Sequence, residues 1–391
     1  MNILEEIQNC SVEWKELGEV CEFKRGQSLT SKNAVFGDIP VISGGKKPAF
    51  MHNESNRDGE TIVVAGSGAY AGFVSYWKQP IFVSDAFSVD IKNSDEVNSR
   101  YVFHFLLNNQ SKIYATKTGA GIPHVYGKNL SKFKIPIPPK KIQEKIVQIL
   151  DKMTEYVTEL TSELTSRKKQ YSFYRDKLLS FEDEVYQVEW KTLNECLKKG
   201  KGTKITASQM KLLHKDGAPI RIFAGGKTYA DVNYGDIPDK DIHTEEAIVV
   251  KSRGIIDFEY CTEPFSFKNE FWSYSSDNEN INLRYIYHYL VHNKEHFQNI
   301  ANNMQMPQIS SNDTEKFKIP VPSLEIQSRI VQVLDNFDMV CHDLNIGLPK
   351  EIELRQKQYE YFREKLLTFV AEGEYTDSTV QYSTDKTSLG S

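Results

Sequence analysis

Residues 133–139 read FKIPIPP, and residues 317–323 read FKIPVPS. The agreement continues downstream: Ile142-Gln143 matches Ile326-Gln327, Ile146-Val147-Gln148 matches Ile330-Val331-Gln332, and Leu150-Asp151 matches Leu334-Asp335. A later block, RKKQYSFYRDKLLSF from Arg167, returns as RQKQYEYFREKLLTF from Arg355. Upstream, Val12-Glu13-Trp14-Lys15 returns as Val188-Glu189-Trp190-Lys191; Arg100, Tyr101 and His104 return as Arg284, Tyr285 and His288, and Pro123 as Pro307. The chain is therefore one unit written twice.

The repeated part is helical. From Lys140 to Phe181 there is no Gly or Pro, and Ile142, Ile146, Ile149, Met153, Val157, Leu160, Leu164, Tyr171, Tyr174, Leu178 and Phe181 recur at steps of mostly three and four. That is a heptad seam, and it predicts a helix roughly 60 Å long packed on another helix. The second copy supplies a matching seam: Ile326, Ile330, Val333, Phe337, Cys341 and Leu344, then Ile352, Tyr359, Phe362, Leu366 and Phe369. The offset between copies is 184 residues at the first block (133 against 317) and 188 at the last (167 against 355). Four extra residues around Gly347-Leu348-Pro349 are a stutter with two helix breakers, so the second helix should be interrupted there.

The parts between do not repeat. Gly66–Tyr76 and Lys251–Glu259 share little beyond a glycine and a phenylalanine. Both variable regions read as mixed α and β. Strands are expected at Thr61–Ala65, Pro80–Val83, Phe87–Ile91 and Ala247–Val250, amphipathic helices at Arg100–Lys112 and Arg284–Phe297, and loops at Gly44–Lys47 and Gly225–Lys227. A fixed scaffold carrying two different surfaces suits a molecule with two reading heads.

At 391 residues the chain is long enough for two or three cores. The first twelve residues do not read as a signal peptide, no stretch approaches a membrane span, and the five scattered cysteines form no CxxC pair. A cytoplasmic, reduced protein is the simplest expectation. The net charge of -5 argues weakly against nucleic acid, but charge is segregated. Lys198, Lys199, Lys201, Lys204, Lys211, Lys215 and Arg221 are opposed in their stretch only by Glu195 and Asp216, whereas acids dominate from Asp231 to Glu279.

Two apparent motifs are decoys. Gly66–Ala71 fits GxGxxA, but the next residues, Gly72–Trp77, have no helical periodicity to place behind a phosphate, and the second copy has Lys251-Ser252-Arg253-Gly254 at the motif's position. His288, His292 and His296 have metal-ligand spacing on one helix face, yet only His288 has a counterpart, His104. There is no Asn-Pro-Pro-aromatic tetrapeptide for a flipped base, no Walker loop and no outstanding carboxylate pair. An enzyme with its own methyltransferase or nuclease chemistry is thereby disfavoured, and a bare coiled-coil spacer does not explain two elaborate, divergent domains.

The IPxP entry, the following IQ…I…LD and the closing YxxxRxKLL, each in both copies, resemble the specificity (S) subunit of type I restriction–modification systems, over nearly the whole chain to Phe369. The resemblance implies an α+β chain: two mixed α/β target-recognition domains separated by two long conserved helices packed as an antiparallel coiled coil, a pseudo-two-fold internal repeat. The expected domains are residues 1–139 and 184–322 for recognition, 140–183 and 323–371 for the helical spacers, and 372–391 as a disordered tail. The resemblance further implies a non-catalytic subunit that reads a gapped, asymmetric double-stranded DNA target and docks two methyltransferase subunits. S-adenosylmethionine belongs to those partners, and ATP with Mg to nuclease/translocase subunits if the complex restricts. A modification-only complex or a related type II assembly remains an alternative setting. The loop Gly119–His124 also looks similar to the family's; in the second copy, Asn303–Gln308, it has lost its glycines.

Cations beside glycines or in turn-like segments are the expected DNA contacts: Lys24, Arg25, Lys46, Lys47, Lys117 and Lys128 in the first domain, and Lys199, Lys201, Lys204, Lys227, Lys251 and Arg253 in the second. Most should meet phosphate. Arg25 and Arg253 are the candidates for guanine, whose edge a guanidinium fork fits.

Overall fold

A computed structural model describes residues 3–181, 188–302 and 306–369. The expected tail at 372–391, the start of the second domain at 184 and part of the loop at 303–308 lie outside the described residues. The chain forms two compact units, Met1–Leu160 with Ile352–Ser391, and Thr161–Glu351.

In the first unit, Cys21–Arg25, Ala86–Ile91, Thr61–Ala65 and Val74–Trp77 lie side by side in that order as an antiparallel sheet. The Thr61–Ala65 strand is buried throughout, which explains its unbroken apolar run. Ile39–Ile42 forms a smaller sheet with antiparallel Phe50–His52 and parallel Phe82–Val83. The second unit repeats the plan. Lys198–Lys201, Trp272–Ser275, Ala247–Lys251 and Asp257–Cys261 make the larger sheet, and Tyr229–Val232, Ile220–Phe223 and Phe265–Phe267 the smaller. Apart from Phe82–Val83, which falls in the strand expected at Pro80–Val83, the small sheets and the strands Val74–Trp77 and Asp257–Cys261 carry no clear period in the sequence.

The VEWK starts pair with the IPxP entries. Glu13–Glu16 runs antiparallel to Lys134–Ile137 with Trp14 opposite Pro136, and Glu189–Thr192 runs antiparallel to Lys318–Val321 with Trp190 opposite Pro320. Each recognition domain thus begins and ends in one two-stranded ribbon.

The helices expected at Arg100–Lys112 and Arg284–Phe297 are each two helices. Ser99–Asn108 and Gln110–Ala115 break at Asn109, and Leu283–His292 and Lys294–Ala301 break at Asn293. Each asparagine side chain donates to the carbonyl four residues back, Phe105 at 2.9 Å and Tyr289 at 2.8 Å. Such local bonding competes with continuation of a helix.

Lys140–Ser180 is one helix of 41 residues. The second copy is Leu324–His342 and Leu348–Leu367, broken at the stutter as expected. Within the first unit, Ile142, Ile146 and Leu150 share a core with Tyr359, Leu366 and Leu367, and the Arg355 guanidinium lies over Tyr156 at 5.4 Å. Within the second, Tyr171 and Tyr174 both face Phe337, at 5.9 and 5.8 Å, while Tyr171 also meets His342. Three seam assignments change. Tyr174 is 44% exposed, Val333 37% and Leu344 70%, whereas Leu150 and Leu334 are fully buried. The helix turns its Leu-Asp face inward because Asp335 must reach the buried His288, as Asp151 must reach His104.

Candidate nucleic-acid interface

The repeated residues form one hydrogen-bonded frame in each unit. Gln143 and Gln327 are fully buried. Gln143 accepts from the Asn98 amide at 2.9 Å and donates to the Glu96 and Pro138 carbonyls; Gln327 accepts from Asn282 at 2.8 Å and donates to Asn280 and Pro322. The Tyr101 hydroxyl donates to the Pro136 carbonyl at 2.8 Å, and Tyr285 to Pro320 at 2.9 Å. Asp151 accepts from Arg100 Nε and His104 Nε2, each at 2.8 Å, and Asp335 accepts from Arg284 Nε and His288 Nε2, at 2.9 and 2.7 Å.

Burial pushes the imidazole pKa of His104 and of His288 below the ordinary value, against the pull of the neighbouring carboxylate. Burial raises the Asp151 carboxyl, but hydrogen bonds from His104 and Arg100 outweigh it and leave the group lowered. A neutral His104 donates from Nε2 and accepts at Nδ1, where the Tyr359 hydroxyl lies at 3.4 Å. His288, Asp335 and Asp338 present ligand atoms within 4.8 Å of one another, the geometry of a metal cluster. The cation in that cluster is the Arg284 guanidinium, and Thr154 stands in the first unit where Asp338 stands in the second. The three histidines do not converge: His292 Nδ1 lies 3.6 Å from Asp176, and the His296 ring packs on Phe297 and Phe317.

What the frame presents is a pair of equivalent loops. Gly68 and Gly254 both hold left-handed φ angles, +83° and +74°. The Gly68 amide donates to Pro123 at 3.0 Å and the Gly254 amide to Pro307 at 2.8 Å; Val125 donates to Gly66 and Ile309 to Ser252. The repeated proline therefore fixes the same loop pair in both units, although the glycines of Gly119–His124 are lost in the second. The GxGxxA run leads into the strand Val74–Trp77, so no helix N-terminus stands behind its glycines.

Around the first loop, four expected cations come together. Lys117 donates to the Ala69 carbonyl at 3.3 Å and lies over Tyr114. Lys46 lies over Tyr70 at 5.1 Å and Phe73 at 5.7 Å. Arg25 and Lys128 line a depression with Gly66, Asp85, His124 and Tyr126, and the His124 and Tyr126 rings stack at 6.0 Å. Lys47 is exposed on the same loop as Lys46. Lys24 points to the other side of its strand and pairs with Asp90 at 3.0 Å and Glu22 at 3.3 Å.

The second domain departs more from expectation. Lys251 is 3% exposed; its ammonium is held by Glu259 at 2.6 Å and the Gly226 carbonyl at 2.9 Å. It buttresses the Gly225–Lys227 loop from within and does not face solvent. Lys199 is paired with Glu315 and Ser311, Lys198 with Asp277, and Arg221 with Asp231 in a forked bond. Three of the seven cations from Lys198 to Arg221 are thus neutralised by folding. Lys201, Lys204, Lys227 and Arg253 remain exposed, and Arg253 sits in the equivalent loop, bridged to Gln308. Sequence reasoning missed the aromatic partners Tyr70, Tyr114 and Tyr126, which alternate with the cations; their spacing beside glycines was the available signal.

One frame built twice, each copy offering a different cation-bearing loop face, has the arrangement of a duplicated recognition module. The chain belongs to the type I restriction modification DNA specificity domain family, whose model matches residues 11–167 and 187–354. It is 31% identical to the Type I restriction enzyme EcoR124I/EcoR124II specificity subunit of Escherichia coli, with 94% of this chain and 97% of that one covered. The fold is that of a type I restriction–modification S subunit from M. genitalium, at a TM-score of 0.69 and 19% identity over 93% of this chain and 98% of the other. A chain from a structural study of assembly and conformational transition in the type I R-M system superposes at a TM-score of 0.53, with 16% identity and 91% and 97% covered. Among the described residues, no helix is long and apolar enough to cross a membrane.

Proposed function

We propose that this chain is the DNA-reading subunit of a type I restriction–modification assembly, in which each recognition domain reads one half of a gapped, asymmetric duplex target. The observation that carries the reading is the pair of equivalent loops, Gly66–Gly68 and Ser252–Gly254, held by matching backbone bonds but armed with different cations. Arg25, Lys46, Lys47, Lys117 and Lys128 in the first domain, and Lys201, Lys204, Lys227 and Arg253 in the second, meet DNA. The helices dock two methyltransferase subunits, which supply S-adenosylmethionine chemistry on adenine; where the complex restricts, nuclease/translocase subunits bring ATP and Mg. The chain itself neither methylates nor cuts.

The deciding measurement is a map of methylated adenines in cells with and without this chain. A gapped two-part site that vanishes with the chain supports the reading; an unchanged map refutes it. The Lys140–Ser180 helix is the ruler for the gap. Each added residue advances one end ~1.5 Å and turns it ~100°, so four extra residues near Thr161 roughly keep the facing side. The insertion should lengthen the gap and leave both half-sites readable. Unchanged spacing would mean that the helix does not set it.

A further inference from the structure

In the first domain's depression, Arg25 and Asp85 are both among the lining residues. Both are exposed, and among the described residues neither has an ion-pair partner within 4.0 Å. Asp85 accepts from the Ser67 hydroxyl, which orients one carboxylate oxygen and leaves the other free. The surrounding face is cationic, with Lys128 lining the same depression and Lys117 and Lys46 around the Gly66–Tyr70 loop. If this face meets a duplex, a bare carboxylate there is repelled by every phosphate. It can gain only from a hydrogen-bond donor, and the donors a duplex offers in its major groove are the amino groups of cytosine and adenine. A G·C pair shows two acceptors on guanine beside one donor on cytosine. A guanidinium fork and a carboxylate in one depression offer the complement of that row.

We propose that Arg25 and Asp85 together read one G·C base pair, Arg25 donating to guanine and Asp85 accepting from the cytosine amino group. This rests on the DNA-reading function above and adds a specificity-determining acid to it. The second domain offers an internal control. Glu270 occupies the position of Asp85, before the strand Trp272–Ser275 and against Ser252, but its carboxylate is engaged by Lys268 at 2.6 Å. Glu270 is spent within the fold and does not read.

The test is competition binding of the reconstituted complex to its mapped target, to duplexes with each G·C pair of the target replaced in turn, and to a scrambled duplex. Asp85→Asn should weaken target binding about tenfold and erase discrimination at one G·C pair. Binding to the scrambled duplex should hold or tighten, which also shows that the variant is folded. Arg25→Ala should lose discrimination at the same pair, and Glu270→Gln should leave every preference in place. Equal tightening of Asp85→Asn on target and scrambled DNA would make Asp85 a mere repellent and overturn the proposal. So would no change at all, or a target without a G·C pair. A wild-type complex that does not distinguish target from scrambled DNA would instead refute the reading function itself.

Discussion

Gln143 and Gln327 lie 184 positions apart and make the same three bonds to equivalent partners. Gly68 and Gly254 hold the same turn, and Ser67 bridges to His124 through the backbone as Arg253 does to Gln308, yet the residue types at these places have diverged. Among the residues that recur are those whose polar groups are buried and must be satisfied, as Gln143 and Gln327 are; the loop cations that differ face water. An unmet buried group costs roughly 1–3 kcal/mol, so the frame has little freedom, while an exposed loop side chain can change at almost no cost to folding.

The sharpest way to break this comparison is to open a cavity in each frame. Leu150→Ala and Leu334→Ala should each cost about 3 kcal/mol, with matching losses in denaturant midpoint; a large inequality would show that the two copies are not equivalent in packing. Next, Arg25→Ala and Arg253→Ala should each cost ~1–3 kcal/mol in binding on the target duplex only. Equal losses on scrambled DNA would reduce them to phosphate clamps. Gln143→Ala and Gln327→Ala should destabilise by about 2 kcal/mol each without altering which sequence is bound, as thermal unfolding and a methylation map together would reveal.

Acid separates the units more finely. Burial lowers the imidazole pKa of His104 in the first unit, and of His288 and His292 in the second. A histidine with a depressed folded pKa stabilises above its unfolded value, here 6.5, and that contribution is lost as pH falls from there toward the folded value. Asn108 occupies the place of His292 in the first unit. Hydrogen exchange should therefore show the second unit loosening more between neutral pH and pH 5, and His292→Asn should narrow the difference. The smallest effect belongs to single lysines. Lys46→Ala should flatten the salt dependence of binding by about one unit, whereas Lys251→Ala, which removes a buried strut, should weaken the Gly225–Lys227 loop and leave that slope unchanged.

Much of this frame is legible from the repeat and its periods: the long helix, the break at Gly347-Leu348-Pro349, the buried strand Thr61–Ala65. The strands of the small sheets, Phe82–Val83 apart, are not, because three or four residues are too few to show a period. The breaks at Asn109 and Asn293 escape because each asparagine sits in an otherwise amphipathic run and acts through a bond to its own backbone. At the interface, exposure of a lysine depends on which acids folding brings to it. Lys251 looks like a loop cation until Glu259 arrives from the paired strand, and Lys199 until Glu315 arrives from a helix 116 residues away.

The ribbon that joins Glu13–Glu16 to Lys134–Ile137, and its copy joining Glu189–Thr192 to Lys318–Val321, has a consequence for inheritance. Everything between its two strands enters and leaves the frame at neighbouring points already fixed by hydrogen bonds. A foreign segment with the same ends would enter a closure already set by the ribbon, and even a doubling of its length would add only about 0.6 kcal/mol of closure cost. Recombination between the matching VEWK and IPxP stretches, within one gene or between two, would then exchange a whole recognition domain in a single event and leave the long helices untouched. Such a molecule can acquire a new word without relearning its grammar.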